Sequence, residues 1–225
     1  LVGNIDQLMI SKLGSAAVAA VGNGNQIMAV VIFVLETTSA ATTILLTQNL
    51  GAQSGEDSCN EVATVGLSVS ALFSILIGLI LLFLPHLLFG LLRTPAEAFA
   101  GSCLYLKIVG GTVLIQGLYI QLCAILRSYT LLKEVVIISV IMNLLNVIGN
   151  LLLINGWWGF PKLGIVGAAA ATVLSKLAGL LLALWVLFKK CPVRFSLRYL
   201  VPFPKETVRR LLGIALPLGT ESLSY

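Results

Sequence analysis

The sequence predicts an all-α integral membrane protein, a bundle of six transmembrane helices followed by the start of a seventh. Three observations carry that expectation. Hydrophobic residues make up 58% of the 225 and charged residues only 10%, against about 25% charged in soluble domains, so too few polar side chains exist to cover a water-facing surface. The apolar residues fall in long runs separated by short polar breaks, and about 20 such residues suffice to cross roughly 30 Å of hydrocarbon. Finally, half of the 14 Lys and Arg crowd into residues 189–210 and leave the runs almost free of charge.

Taken in order, residues 1–12 (LVGNIDQLMISK) read as the end of a first helix. Residues 16–50 hold the second, closed by the polar break GAQSGED. The third, 62–84, stops at Pro85 and His86, because proline lacks the N–H that a continuing helix needs. After LLRTPAEA a fourth runs over 99–126, and RSYTLLKE separates it from a fifth at 135–155. NGWWGFPKLG then forms a turn whose Trp157 and Trp158 belong at the headgroup level. The sixth spans 165–188. This divides the chain into a transmembrane lobe at 1–188, a cationic linker at 189–210 and the start of a seventh helix at 211–225. Because Leu1 opens on apolar residues with no basic leader, the chain is expected to carry no signal peptide and to be cut at both ends.

Loop charge sets the expected orientation, since cytoplasmic loops carry the excess of Lys and Arg. One side has nine, at Arg127, Lys133, Lys189, Lys190, Arg194, Arg198, Lys205, Arg209 and Arg210, whereas the other has three, at Lys12, Arg93 and Lys162. The linker and the breaks at 51–61 and 127–134 are therefore expected in the cytoplasm and the tryptophan turn outside. No basic face interleaved with aromatics is present, which argues against nucleic acid. Cys59, Cys103, Cys123 and Cys191 show no CxxC spacing, and with His86 the single histidine, metal and disulfide readings are weak. HExxH, GxSxG and Walker A patterns are absent, so enzymatic chemistry is not expected.

Two polar or small-residue patterns mark particular helices. Gly167, Ala171, Ser175, Gly179 and Ala183 recur every fourth residue along the sixth run, a spacing that lets membrane helices approach closely. On the fifth run Ser139, Asn143, Asn146 and Asn150 share one arc at 100° per residue. A carboxamide stripe faces a cavity or a partner helix and can both donate and accept, so it serves either as a site or as glue between helices. Ionisable groups in the runs need a reason, at about 2.5–3.5 kcal/mol for a charge at mid-membrane. Asp6 either exchanges a proton at membrane depth or reaches water or Lys12 from a helix end. Glu36, with Thr43 and Thr47 on its face, is a possible contact for an ion or a substrate; Lys107 is read as snorkelling from the outer end of the fourth run, and Lys176 stays undecided.

Three stretches, NIDQLMISKLGSAAVAAVG, LLTQNLGAQSGE and ISVIMNLLNVIGNLLLINGWWGFPKLGIVGAAAATVLS, resemble in order and spacing the N-terminal half of the multidrug and toxic compound extrusion (MATE) family. The resemblance implies a twelve-helix transporter of two six-helix lobes, of which this chain supplies one lobe in the plasma membrane and the start of helix seven. It further implies export of cationic or amphipathic compounds in exchange for protons or sodium ions, with no other cofactor. The family's first-helix acid falls on Asp6 and its polar fifth-helix positions on Asn146 and Asn150. Some members carry aspartate where Asn150 stands, so this departure leaves proton against sodium coupling open. A family glutamate on helix seven corresponds to Glu221, which sits about a turn early. Implied partners are a cationic small molecule, the bilayer and the second lobe, with a lipid-linked oligosaccharide or peptidoglycan-precursor flippase of the same superfamily as the alternative.

Overall fold

A computed structural model describes residues 14–155, 161–201 and 204–223. Its helices are α1 (Ser15–Gly51), α2 (Glu56–Phe83), α3 (Pro85–Leu91), α4 (Ala96–Gly110), α5 (Val113–Ser128), α6 (Leu132–Asn155), α7 (Ile165–Lys190) and α8 (Lys205–Leu223), with a 3-10 turn at Leu197–Leu200. The fold is all-helical. Helices α1, α2, α6 and α7 are each long and apolar enough to cross a membrane, and α4 with α5 makes a broken fifth span. The first run, with Asp6, and the Trp157–Trp158 turn lie outside the described residues.

The four unbroken spans coincide with the second, third, fifth and sixth apolar runs. Two boundaries differ. Helix α2 begins at Glu56, six residues before the apolar run, and α8 begins at Lys205, inside the segment read as linker. In both cases the first turns are polar, and a helix that leaves the hydrocarbon keeps its backbone bonds without needing apolar side chains. At 37 residues α1 is about 55 Å long at 1.5 Å per residue, so it tilts or projects beyond the hydrocarbon. After Pro85 the chain turns helical again as α3, with proline in the first turn, where its missing N–H costs nothing.

The fourth run, read as continuous over 99–126, is bent by 49° between α4 and α5. The cause is Gly110–Gly111. A Cβ on Gly110 would lie 2.6 Å from the Cβ of Leu81, so α2 approaches there as closely as only glycine permits. The Thr112 hydroxyl donates to the Val109 carbonyl at 2.8 Å, satisfying one acceptor freed by the break. Lys107 thus stands three residues before a mid-span bend, away from the end of the run, and its side chain is exposed.

By contact density the described residues form two compact units, one of 15–31, 75–115 and 139–179, the other of 32–74, 116–138 and 180–223. These cut across the boundaries drawn at 188 and 210. In the first unit Tyr105, 1% exposed, packs on Gly24 and donates to Asn25 Oδ1 at 2.9 Å. Asn23 Nδ2 donates to Ser102 Oγ at 3.4 Å, and His86 stacks obliquely on Phe99, with ring centroids 5.9 Å apart. The second unit holds the linker end of the bundle, where Lys190 pairs with Glu134 and Lys189 lies 4.8 Å over the exposed Trp185 ring. Tryptophan and lysine at such a place mark a headgroup boundary.

Candidate functional site

The site begins from small side chains. In the first unit, a Cβ on Gly167 of α7 would stand 2.5 Å from the carbonyl oxygen of Leu153 in α6, and one on Gly149 would stand 2.9 Å from the Cβ of Ala171. The two backbones therefore cross nearly in contact, which membrane helices achieve through glycine and alanine. Ala171, Ser175 and Ala183 are buried, while Leu181, off that face, is 57% exposed. The four-residue spacing thus marks a packed face, as expected.

This close approach brings polar groups within reach of one another. Asn146 Nδ2 donates to Thr172 Oγ1 at 3.4 Å, and Asn150 Nδ2 donates to Asn146 Oδ1 at 3.2 Å. Thr172 in turn donates to the Ala168 carbonyl at 2.9 Å, and the Ser175 hydroxyl to the Thr172 carbonyl at 2.9 Å. Asn146 and Asn150 are 4% and 0% exposed. A chain of neutral donors and acceptors is thus held out of water on an otherwise apolar helix pair, an arrangement able to tie the two helices together or to hold a polar species while adding no charge. Thr172 is the member that sequence reasoning missed. A lone threonine in an apolar helix ordinarily bonds its own backbone, and this one does so while also accepting from Asn146.

The remaining candidates are distributed differently. Asn143 is half-buried on the same helix. Glu36 belongs to the second unit and is exposed midway along α1. Its neighbours Thr43 and Thr47 donate to the carbonyls of Ser39 and Thr43, four residues back, so neither requires an outside partner. The backbone of Glu221 lies in α8 beyond Pro217, and its side chain, like Asp6, is outside the described residues.

A second polar seam, in the second unit, went unread in the sequence. Ser39 donates to Gln121 Oε1 at 2.8 Å, and Ser70 to the Gly117 carbonyl at 3.2 Å, all four residues deep in the fold. Gly66, Ser70 and Ser74 recur every fourth residue on α2, opposite Gly117 and Gln121 on α5. A Cβ on Gly117 would overlap Ser74 Oγ. The seam is the same small-residue device used for packing, and its signal, the four-residue spacing on α2, was present but uncharged.

The MatE family model matches residues 1–152. The uncharacterized transporter YisQ of Bacillus subtilis is 33% identical over 223 residues, 99% of this chain and 49% of its own length. The probable multidrug resistance protein NorM of Thermotoga maritima is 28% identical over 233 residues, 100% of this chain and 48% of its own length. A crystal structure of MATE in the bent conformation superposes with a TM-score of 0.91 at 24% identity, over 100% of this chain and 49% of that one, a likeness of fold. The chain spans about half the length of the curated relatives it matches.

Proposed function

The chain belongs to the MatE family, and on that premise we propose that it forms the N-terminal lobe of a secondary transporter exporting cationic or amphipathic small molecules against a proton or sodium gradient. The observation that carries the reading is the buried Asn150–Asn146–Thr172 chain. Carboxamides shielded from water cost free energy unless bonded, and this chain bonds them to one another and to Thr172 where α6 and α7 cross. The exposed Glu36 adds to it. A carboxylate midway along a membrane span does not face lipid, so its exposure in this lobe points to a cavity completed by a second lobe, where it would attract cationic cargo. Relatives named as multidrug resistance proteins agree with such cargo.

In this reading the coupling ion is the sole cofactor, the protein carries out no covalent chemistry, and the linker lies in the cytoplasm of a plasma-membrane protein. Asp6, Asn146 and Asn150 are the ion-coupling residues, and Asn143 and Glu221 are further contacts for ion or cargo. Two lobes rock about a shared cavity. Protonation of Asp6, or sodium binding to it, shifts the balance between facing states by as much as the ion binds one state more tightly than the other. The membrane potential contributes about 2.3 kcal/mol per charge per 100 mV.

Lys107, exposed beside the α4–α5 bend, favours a second reading, a flippase whose cavity takes the pyrophosphate of a lipid-linked precursor. Cargo separates the two. Full-length protein in a drug-hypersensitive bacterium is expected to lower ethidium accumulation, an effect abolished by collapsing the ion gradients. Unchanged ethidium levels with the protein present in the membrane, together with translocation of a fluorescent lipid-linked sugar, would establish the flippase instead.

A further inference from the structure

The connection between α2 and α4 is apolar where a turn between two spans is ordinarily polar. Residues 62–84, the apolar part of the α2 span, cover about 35 Å at 1.5 Å per residue, which uses up roughly 30 Å of hydrocarbon. Helix α4, which opens the broken span, starts at Ala96. Helix α3 and the residues up to Pro95 therefore lie at one membrane boundary.

Helix α3 is two-sided. Pro85 and Phe89 are buried. On the opposite face Leu84, Leu87 and Leu91 fall at i, i+3 and i+7, and all three are exposed, Leu87 at 57% and Leu91 at 74%. Phe83 and Leu92, at the two ends, are exposed as well. In sequence this patch continues a stripe on α2, Leu76, Leu79 and Phe83, exposed on a helix long and apolar enough to cross a membrane.

A cation closes the patch. Arg93 takes a left-handed backbone conformation with φ 50°. Its N–H donates to the Gly90 carbonyl at 3.1 Å, and the Thr94 N–H donates to the Phe89 carbonyl at 3.1 Å. These bonds end α3 and turn the chain toward α4. Glycine usually fills such a position, so an arginine there keeps a side chain that the turn itself does not require. Arg93 is exposed, and among the described residues no carboxylate pairs with it.

Water suits the arginine but not the leucines, because an exposed contiguous apolar patch marks a surface that meets something apolar. The edge of a bilayer offers both chemistries at once. Acyl chains cover the leucines, and phosphates lie within reach of a long cationic side chain that can bond them in bidentate fashion. We propose that α3 is an interfacial anchor, with Leu84, Leu87 and Leu91 immersed among the acyl chains of one leaflet and Arg93 bound to a phospholipid phosphate. The anchor fixes the depth of the α2–α4 connection in the membrane. It requires only that the chain spans a bilayer, and it stands or falls independently of cargo and coupling ion.

Nitroxide labels on Leu87→Cys and Leu91→Cys test the immersion, in full-length protein reconstituted in vesicles of phosphatidylethanolamine and phosphatidylglycerol. The four native cysteines are buried and remain in place. Oxygen, which concentrates in hydrocarbon, and a water-soluble nickel complex are compared as relaxants. Leu79→Cys gives the hydrocarbon reference and the exposed Ala52→Cys the aqueous one. Both α3 labels are expected to respond to oxygen and to be shielded from nickel, at a depth shallower than that of position 79. Nickel access equal to that at position 52 would place α3 in water, and a label that neither relaxant reaches would place it under the second lobe or a second copy. Either result overturns the proposal. Arg93→Glu, whose carboxylate the phosphates repel, is expected to open the position 91 label to nickel, whereas Arg93→Lys keeps it shielded. A glutamate variant that reads like the parent overturns the phosphate contact and with it the anchor.

Discussion

Asp6→Asn in the full-length protein is expected to abolish ethidium efflux while leaving expression, folding and cargo binding near the level of the unsubstituted protein. Asparagine keeps the size of the side chain and its capacity to hydrogen-bond, but it cannot change charge. An ion shifts a conformational equilibrium only by its difference in affinity for the two states, and with a side chain that binds no proton that difference vanishes. Asp6→Glu keeps the titrating group on a longer arm and is expected to retain part of the transport. Efflux from cells, with membrane expression and thermal stability of the purified variants, decides the matter. Normal efflux by the asparagine variant would reduce Asp6 to a structural polar residue and transfer the coupling to Glu36 or Glu221.

Gly167→Ala is the second large effect, and it acts on folding. The new methyl group would meet the carbonyl oxygen of Leu153 at 2.5 Å and its carbon at 2.7 Å. Both are backbone atoms, so no rotamer change relieves the contact, and α6 and α7 must move apart. Overpacking of that kind costs about 1–3 kcal/mol. The separation also draws Thr172 away from Asn146, whose bond is already 3.4 Å. Gly90→Ala is the control, because nothing lies within 4 Å of its added carbon. Thermal unfolding of the detergent-purified full-length variants should show a clear loss for position 167 and none for position 90. Equal melting temperatures would mean that the small-residue face does not hold the two helices.

Hydropathy made most of the fold legible, because lipid allows few interruptions in a spanning helix. Helices α1, α2, α6 and α7 all coincide with apolar runs for that reason. The bend at Gly110–Gly111 was invisible, since two glycines in an apolar run hardly alter hydropathy and the cause, Leu81, lies on another helix. The polar beginnings of α2 and α8 were read as loop because they lie beyond the hydrocarbon. Within the site, Asn146 and Asn150 were legible from periodicity, and the structure adds that they bond to each other and to Thr172. The Ser39–Gln121 and Ser70–Gly117 contacts escaped because neutral polar side chains stand out little against an apolar background. Neither could sequence tell that Glu36 is exposed, as burial depends on which neighbours a fold supplies.

The central claim is that this lobe belongs to an ion-driven exporter, and reconstitution tests it most directly. The purified full-length protein, placed in proteoliposomes, is given an imposed proton gradient, then a sodium gradient, and ethidium movement is followed by fluorescence. The account predicts that ethidium moves uphill, opposite to the ion, under at least one of the two gradients, and that Asp6→Asn in the same vesicles does not move it. Ethidium that stays put under both gradients with folded, correctly inserted protein, or that moves equally well with the asparagine variant, would contradict it.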